Sequence, residues 1–475
     1  MTDYKKYENY KKTNIDYIEF IPSHWEQTQI KAVTRTSVIK KKPTEELLSV
    51  YREYGVIPKN SRNDNHNADG KDLSTYKYVS KNNLVVNKMK AWQGSMGVSN
   101  YSGIVSPAYI VCKLTDNIVP KYVHYLLRSK HYIDYYNRVS YGVRVGQWDM
   151  RYGDFKNLPF FIPQIDEQDK IVSFIEYKEK QINKLIKKQK KLIELLEEKK
   201  KIIITEAVTK GLDKSVPMKD SGIDYIGQIP QNWKIQKLKT VSRIKGRIGF
   251  RGYTALDIVD KSHKGYAVVI GGTNIMKDGY ISYDKITLLS EFKYLESPEI
   301  MLKGGEILIT KVGAGTGENA IYDFYYDRVT INPNVMICDV KDKELSYFIN
   351  YYLLNKKIKE HIKVESLKSG AQPAINQSFI KALYVLIPTK NEINAIIKYI
   401  KINEENINRL IAIKKDLIEK LEEYKKSLIS FAVTGQIDVR DYEIPKIDDD
   451  IDLENIENIS EDDTETISEV EYANN

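Results

Sequence analysis

The chain has 475 residues, 42% of them hydrophobic, which is enough to build two or three separate cores. No apolar run approaches a membrane span, and the polar start Met1-Thr2-Asp3-Tyr4-Lys5-Lys6 leads into no signal-peptide core, so a cytoplasmic protein without membrane contact is expected. The formal charge of +8 conceals a split: residues 441–475 hold fourteen Asp/Glu against one Lys, a net of −13, so the rest of the chain carries a net of +21. A body that basic suits a polyanion such as nucleic acid, although a Lys-, Ile-, Asn- and Tyr-rich composition also follows from an AT-rich genome, and charge alone does not separate the two. Only two cysteines occur, Cys112 and Cys338, each in an apolar run after a proline; they read as buried strand residues in a reducing compartment.

In chain order, the first landmark is Tyr17-Ile18-Glu19-Phe20-Ile21-Pro22-Ser23-His24-Trp25. Short β-type runs and Gly/Asn/Asp turns follow, with strands expected at Leu84-Val85-Val86 and Tyr109-Ile110-Val111-Cys112-Lys113 and a helix around 119–136. An apolar strand, Leu158-Pro159-Phe160-Phe161-Ile162-Pro163, closes this part. A long helix is expected over 166–209. Residues 211–224 contain Gly and Pro with few apolar residues and read as a linker. The layout then repeats. Tyr225-Ile226-Gly227-Gln228-Ile229-Pro230-Gln231-Asn232-Trp233 matches the first landmark, and strands are expected at Ile307-Leu308-Ile309 and Val335-Met336-Ile337-Cys338-Asp339. A helix around 344–364, the strand Leu383–Pro388 and a long helix over 391–434 complete the second copy. Both long helices end in Ala-Val-Thr, at 207–209 and 432–434. A duplicated chain folds as two similar units with approximate two-fold symmetry.

The long helices carry apolar residues at three–four spacing: Ile182, Leu185, Leu192, Leu196 and Ile203 in one, Ile407, Leu410, Leu417, Leu421 and Leu428 in the other. Ile186, Ile193, Ile411 and Ile418 widen the stripe, and Gln189 and Lys414 interrupt it at equivalent places, where a polar residue costs stability and fixes register. The stripe predicts an antiparallel coiled coil whose rods, at about 1.5 Å per residue, act as a molecular ruler. The fold class is therefore α+β, with two globular domains of similar mixed α/β fold separated by two long helices. The expected boundaries are 1–160 and 214–385 for the globular domains, 161–213 and 386–438 for the helical spacers, and 439–475 for an acidic tail expected to be disordered.

These features together resemble the specificity (S) subunit of type I restriction–modification enzymes. The likeness spans about residues 17–438 and rests on the order and duplication of its motifs. They are the Ile-Pro-x-x-Trp landmarks at 21–25 and 229–233, the Ile-Pro-x-x-x-Glu helix openings at 162–167 and 387–392, and the ends Thr205–Asp213 and Phe431–Gly435. The second copy departs slightly, with Asn391-Glu392-Ile393 where the family usually has Glu-Gln. The resemblance implies that each globular domain is a target-recognition domain reading one half of a bipartite, asymmetric double-stranded DNA site. It also implies that the helices, through Ile182, Leu185, Leu192, Leu196, Ile407, Leu410, Leu417 and Leu421, offer docking surface to partner subunits. Those partners would be two modification subunits, which methylate adenine with S-adenosylmethionine, and restriction subunits, which use ATP and Mg²⁺. The chain itself would be a non-catalytic subunit with no cofactor and no metal of its own.

The residues agree that catalytic motifs are missing. No phosphate-binding Gly-x-x-x-x-Gly-Lys-Ser/Thr loop occurs, and six histidines are scattered without metal spacing. Ser106-Pro107-Ala108-Tyr109 resembles a methyltransferase tetrapeptide but lacks its second proline; with Asn332-Pro333-Asn334-Val335 it reads as a repeated strand-entry turn. Gly313-Ala314-Gly315-Thr316-Gly317 resembles a dinucleotide loop, but no apolar helix follows it. What remains suits DNA. Lys88-Met89-Lys90-Ala91-Trp92-Gln93-Gly94-Ser95 and Thr310–Thr316 (with Lys311) are small-residue loops beside lysine, which let the backbone approach phosphate. Arg144 and Gln147 within 141–148, and Gln372 within 369–372, form the second paired loops, since Arg and Gln match guanine and adenine edges. Arg247, Arg251 and Asn274 extend the set. For any one of these, a plain solvated role is the simpler reading; as a group at equivalent places they favour a DNA reader. The alternatives are a coiled-coil scaffold binding protein partners only, which salt-titrated DNA binding would discriminate, and a self-contained methyltransferase, which cofactor crosslinking at 107–109 would reveal.

Overall fold

The computed structural model describes the chain except residues 1–3, 16, 63–71, 141–147, 248–251, 263–265, 369, 371 and 446–475. Two compact units result, Met1–Lys187 with Leu417–Asn475, and Lys188–Asp416. Each unit therefore holds one globular domain, the start of the long helix that follows it and the end of the other long helix.

In the first unit an antiparallel four-stranded sheet runs in the order Thr34–Thr36, Tyr109–Leu114, Leu84–Asn87, Met96–Val98. The two central strands are apolar on both faces, as a sheet between two cores requires. Leu84, Val86, Ile110 and Cys112 point into the main core, while Val85 and Val111 point into a small second core with Leu48, Val50, Val56, Val79 and Val105. That second core is roofed by two hairpin-like pairs, Leu48–Tyr51 with Gly55–Pro58 and Lys77–Val79 with Gly103–Val105. The helix expected over 119–136 is two helices, Pro120–Leu127 and Lys130–Val139, divided at Arg128 and Ser129. Strand Pro159–Ile162 pairs with Glu26–Gln29 and feeds directly into the long helix.

The second unit repeats this frame strand for strand, with the order Ser242–Lys245, Val335–Val340, Ile307–Thr310, Asn319–Ile321. Its helix pair is Lys343–Leu353 and Lys356–Leu367, divided where Asn355 accepts the Lys357 N–H and starts a new helix. The same alternation recurs: Ile307, Ile309, Met336 and Cys338 face the main core, Leu308 and Ile337 the other. The second core differs, however. Here it is built on a three-stranded sheet, Thr287–Leu289, Ala267–Ile270, Val329–Ile331, whose parallel pair is matched among the described residues of the first unit only by an isolated parallel bridge, Leu47 to Ile104. The domains thus share a frame and diverge in the module mounted on it. Cys112 and Cys338 are free thiols buried in matching strands, and burial pushes both up to about 12.

Two expectations are corrected. The stretch read as a linker contains a strand, Met218–Asp220, paired with Gln228–Pro230 just as Tyr10–Lys12 pairs with Phe20–Pro22. Its three residues show no apolar alternation; the hairpin is set by Asp220, whose carboxylate accepts the Gly222 N–H, with Gly222 at φ +69°. The acidic tail expected from residue 439 is ordered through its first residues: the Asp438 N–H bonds Lys5 O at 2.8 Å, Val439 is buried, and Tyr442 packs edge-on against Phe174. The rest of that tail, 446–475, lies outside the described residues.

The long helices span Ile165–Lys210 and Lys390–Val433. Within the first unit Lys425 Nζ donates to Asn183 Oδ1 at 2.9 Å and Lys170 Nζ to Arg440 O at 2.6 Å, so the two segments run antiparallel. Within the second, Lys200 Nζ meets Asn408 Oδ1 at 3.3 Å, and Lys210 lines the same cavity as Ala395, which gives the same sense. Ile182, Ile186, Ile407 and Ile411 are buried. Leu185, Leu410 and Leu417 are exposed, while Leu192, Leu196 and Leu421 are half-buried, so the stripe splits into an inner seam and an outer face. Gln189 and Lys414 are both half-buried.

Candidate nucleic-acid interface

In the first unit the loop after strand Leu84–Asn87 is tied to the segment ending at Met150. The Met150 N–H donates to Lys88 O at 3.0 Å, Lys88 Nζ pairs with Asp149 at 3.3 Å, and the Trp92 and Trp148 rings lie 5.2 Å apart. The segment Trp148–Met150 therefore adjoins the Lys88 loop. Lys90 is exposed, whereas Ser95 is buried at the foot of the loop, its carbonyl accepting the Asn87 N–H. Trp92 Nε1 is buried with no partner among the described residues, so the ring serves the loop's packing. Arg144 and Gln147 lie outside the described residues.

Two further lysines, Lys40 and Lys77, lie beside this loop and share no motif in the sequence. The Tyr78 N–H donates to Ile39 O, which lays Lys40 alongside Lys77, and Lys77 Nζ reaches Tyr109 O at 2.5 Å beside the root of the Lys88 loop. Burial, then the charges of Lys40 and Lys88, lower the Lys77 pKa. A crowd of like charges is relieved by an anion, and the run Lys40-Lys41-Lys42 was its visible signal.

The second unit repeats the juxtaposition with different side chains. The Ile375 N–H donates to Lys311 O at 2.8 Å, the counterpart of the Met150–Lys88 bond, and the Gly313 N–H donates to Pro373 O at 3.0 Å. Thr316 Oγ1 lies 2.6 Å from Gly313 O and 3.0 Å from Pro373 O, so its hydroxyl closes the loop internally. Gln372 is exposed on the facing segment and Lys311 is half-buried. Arg247 is directed inward, with Nη2 on Ile331 O at 3.1 Å and Nη1 near Ser297 Oγ at 3.4 Å, and burial lowers its pKa. Asn274 is buried and its amide is fully used: Oδ1 accepts the Gly271 N–H, and Nδ2 donates to Ser282 O and Lys285 O. In this arrangement it shapes a turn and has no group left for a base edge. Arg251 lies outside the described residues.

The duplicated Ile-Pro-x-x-Trp motif has a structural task. Trp25 Nε1 donates to Glu167 Oε1 at 2.9 Å, and Tyr7 Oη donates to the same oxygen at 2.6 Å; His24 Nε2 sits 2.8 Å from Oε2. Burial and that carboxylate push the Tyr7 hydroxyl well above its ordinary pKa. In the second unit Trp233 Nε1 and Asn232 Nδ2 each reach Glu392 Oε1 at 3.1 Å. The Glu392 carboxylate also accepts the Thr389 N–H at 2.9 Å, a capping box that starts the helix and holds the pKa of Glu392 down. Gln168 Oε1 takes the Val119 N–H at 2.8 Å, a bond that Ile393 cannot repeat. Each tryptophan also touches the glycine ending the other helix, Gly435 beside Trp25 and Gly211 beside Trp233. A motif shared by both domains thus welds each domain to two helix ends.

The lookalikes resolve as turns. The Tyr109 N–H bonds Ser106 O, and the Val335 N–H bonds Asn332 O, at equivalent strand entries. Among the described residues no group of His, Cys, Asp or Glu could hold a metal ion, and no helix is long and apolar enough to cross a membrane.

The family pattern described as the type I restriction modification DNA specificity domain matches this chain twice, over residues 22–195 and 230–423. The chain belongs to the specificity-subunit family of type I restriction–modification systems. One relative, the type I restriction enzyme MjaVIII specificity subunit of Methanocaldococcus jannaschii, is 23% identical over 378 residues, covering 77% of this chain and 83% of its own. Two solved structures share the fold. A chain from a study of complex assembly and conformational transition in a type I restriction–modification system matches with a TM-score of 0.64 at 14% identity, covering 88% of this chain and 99% of that one. The HsdS subunit of Thermoanaerobacter tengcongensis matches with a TM-score of 0.50 at 13% identity, covering 88% and 98%. The fold class expected from the duplication, two similar α+β domains with two long antiparallel helices, is the one observed.

Proposed function

We propose that this chain recognises a bipartite, asymmetric DNA site, one half per domain, and scaffolds modification and restriction subunits without catalysing a reaction itself. The observation that carries this reading is the pair of juxtaposed loops, joined in each unit by the same backbone bond (Met150 to Lys88, Ile375 to Lys311) yet presenting different side chains. Equal frames with unequal loops suit two halves of unlike sequence. The Lys40, Lys77 and Lys88 crowd supplies phosphate attraction beside the first loop pair. The exposed Leu185, Leu410 and Leu417 give the helices an apolar outer face for partner subunits. In this reading S-adenosylmethionine, ATP and Mg²⁺ belong to those partners. The test is to express the chain with its modification subunits, map methylated adenines across the host genome, and repeat with Gln372→Ala, which removes the exposed base-edge candidate of the second unit. Relaxed sequence demand in one half of the site is the expected result; equal relaxation of both halves, or none, overturns it.

A further inference from the structure

The two reading loops are held in shape by different means. In the first unit the loop is stiffened by its own Trp92, packed on Trp148, and by Ile133 against Gly94. A Cβ on Gly94 would come within 2.9 Å of the Ile133 side chain. The second loop has no aromatic residue and three glycines, Gly313, Gly315 and Gly317, two of them at φ +104° and +88°. Each glycine adds backbone freedom that must be lost when the loop is ordered. Something else has to hold such a loop.

That something is visible behind it. Lys359 occupies the fourth position of helix Lys356–Leu367, as Ile133 does in helix Lys130–Val139. Its ammonium meets three acceptors on three consecutive residues: Gly317 O at 2.7 Å, Glu318 Oε2 at 3.1 Å and Asn319 Oδ1 at 2.7 Å. Three donors thus meet three acceptors, with both Lys359 and Glu318 side chains only 20% exposed. Asn319 is anchored in turn, its Nδ2 donating to Asn350 O and Oδ1 in the other helix of the pair. Gly317 sits so close to Ile362 that a Cβ would approach its Cγ2 to 2.6 Å. Residues 317–319 are where the loop re-enters the sheet, the Gly317 N–H donating to Thr310 O and the Thr310 N–H to Glu318 O. The ammonium therefore fixes the far end of the loop while the Ile375–Lys311 bond fixes its beginning.

We infer that Lys359 is a positioning residue for recognition of one half-site, an internal cationic clamp that orders the glycine loop Lys311–Gly317 without touching DNA. The inference rests on the reading of that loop as part of the DNA interface. It predicts an asymmetry between domains: the first reader depends on an apolar prop, the second on an ion pair.

The experiment uses the full chain assembled with its modification subunits, on synthetic duplexes carrying the methylation-mapped site and single-base changes in either half. Lys359→Met should lower discrimination in the half read by the second domain about tenfold, the loss of roughly one base contact, and leave the other half unchanged. Adding Gly315→Ala should restore part of it, because a Cβ there meets nothing closer than 3.9 Å and removes loop freedom. A purely structural lysine would give no such rescue. Should Lys359→Met fail to fold, Glu318→Gln, which keeps an acceptor at each of the three positions and removes only the charge, should lower the same half by a smaller factor. Unchanged discrimination in the foldable variant, with Gln372→Ala still altering that half, overturns the clamp and leaves the DNA reading standing. No effect of Gln372→Ala on either half overturns the reading, and the clamp's role with it.

Discussion

Replacing Glu167 by alanine is the sharpest test of how the recognition frame is joined to the helices. Its carboxylate serves three side-chain donors, two of which, Trp25 Nε1 and Tyr7 Oη, belong to residues 0% and 4% exposed. Without the acceptor both donors are left buried and unpaired, at about 1–3 kcal/mol each. His24 is one-third exposed and turns to water at little cost. Allowing for the lost packing, Glu167→Ala should cost about 4 kcal/mol. In the second unit Glu392→Ala strands only Trp233, because Asn232 and Thr389 are exposed, and it loses a capping box worth about 1 kcal/mol; about 2–3 kcal/mol is expected. The assay is chemical denaturation of the two variants, with hydrogen exchange to assign the loss to a unit. The reasoning fails if Glu167→Ala costs under 1 kcal/mol, or if the two variants lose stability in the reverse order.

Two further outcomes follow from the same frame. Gly435→Ala places a Cβ 2.3 Å from the Pro22 ring at φ +73°, so it should cost about 3 kcal/mol or more, while Gly211→Ala, 3.3 Å from Trp233, should cost only about the 1 kcal/mol of the left-handed conformation; urea midpoints distinguish them. His124, wedged between Gly55 and Gly97, is held down to about 3 by burial and then by Arg128. The unfolded chain takes its proton near pH 6.5 and the folded one does not. Stability of the first unit should therefore be complete above pH 6.5 and fall by about 1 kcal/mol per pH unit below it, a slope that His124→Leu should flatten in denaturation midpoints at pH 5 and 7.

Much of the architecture was legible in the chain because duplication doubled every signal. Strands such as Tyr109–Leu114 and Val335–Val340 are apolar runs set between turn residues, and the long helices carry an apolar stripe from Ile182 to Ile203 and from Ile407 to Leu428. The seam was less legible. Leu185 and Ile186 both fit three–four spacing, and only packing assigns the inside to Ile186 and the outside to Leu185. The pairing of segments within each unit was legible, since Lys88 and Lys311 follow matching strands and Met150 and Ile375 follow the matching second helices of the two helix pairs. Individual side chains were not legible: Asn274 looks the same in sequence whether its amide faces solvent or closes a turn. Lys359 was passed over altogether, because a lysine on a polar helix resembles every other until three acceptors gather around its ammonium.

The division between frame and module explains why the repeat is strong in some places and absent in others. Residues serving the frame are constrained from several sides at once. Trp25 must donate to Glu167, fill the main core and leave room for Gly435, and Trp233 answers the same three demands with Glu392 and Gly211. No other side chain meets all three, so the motif survives duplication. The second core has a single demand, to cover the outer face of the four-stranded sheet at Val85 and Val111 or at Leu308 and Ile337. Two hairpin-like pairs do so in one unit and a three-stranded sheet in the other. A surface that only needs covering tolerates many covers, and a protein with the proposed task of reading two unlike half-sites would gain from that tolerance. Divergence therefore concentrates in the covering modules and spares the frame that holds them.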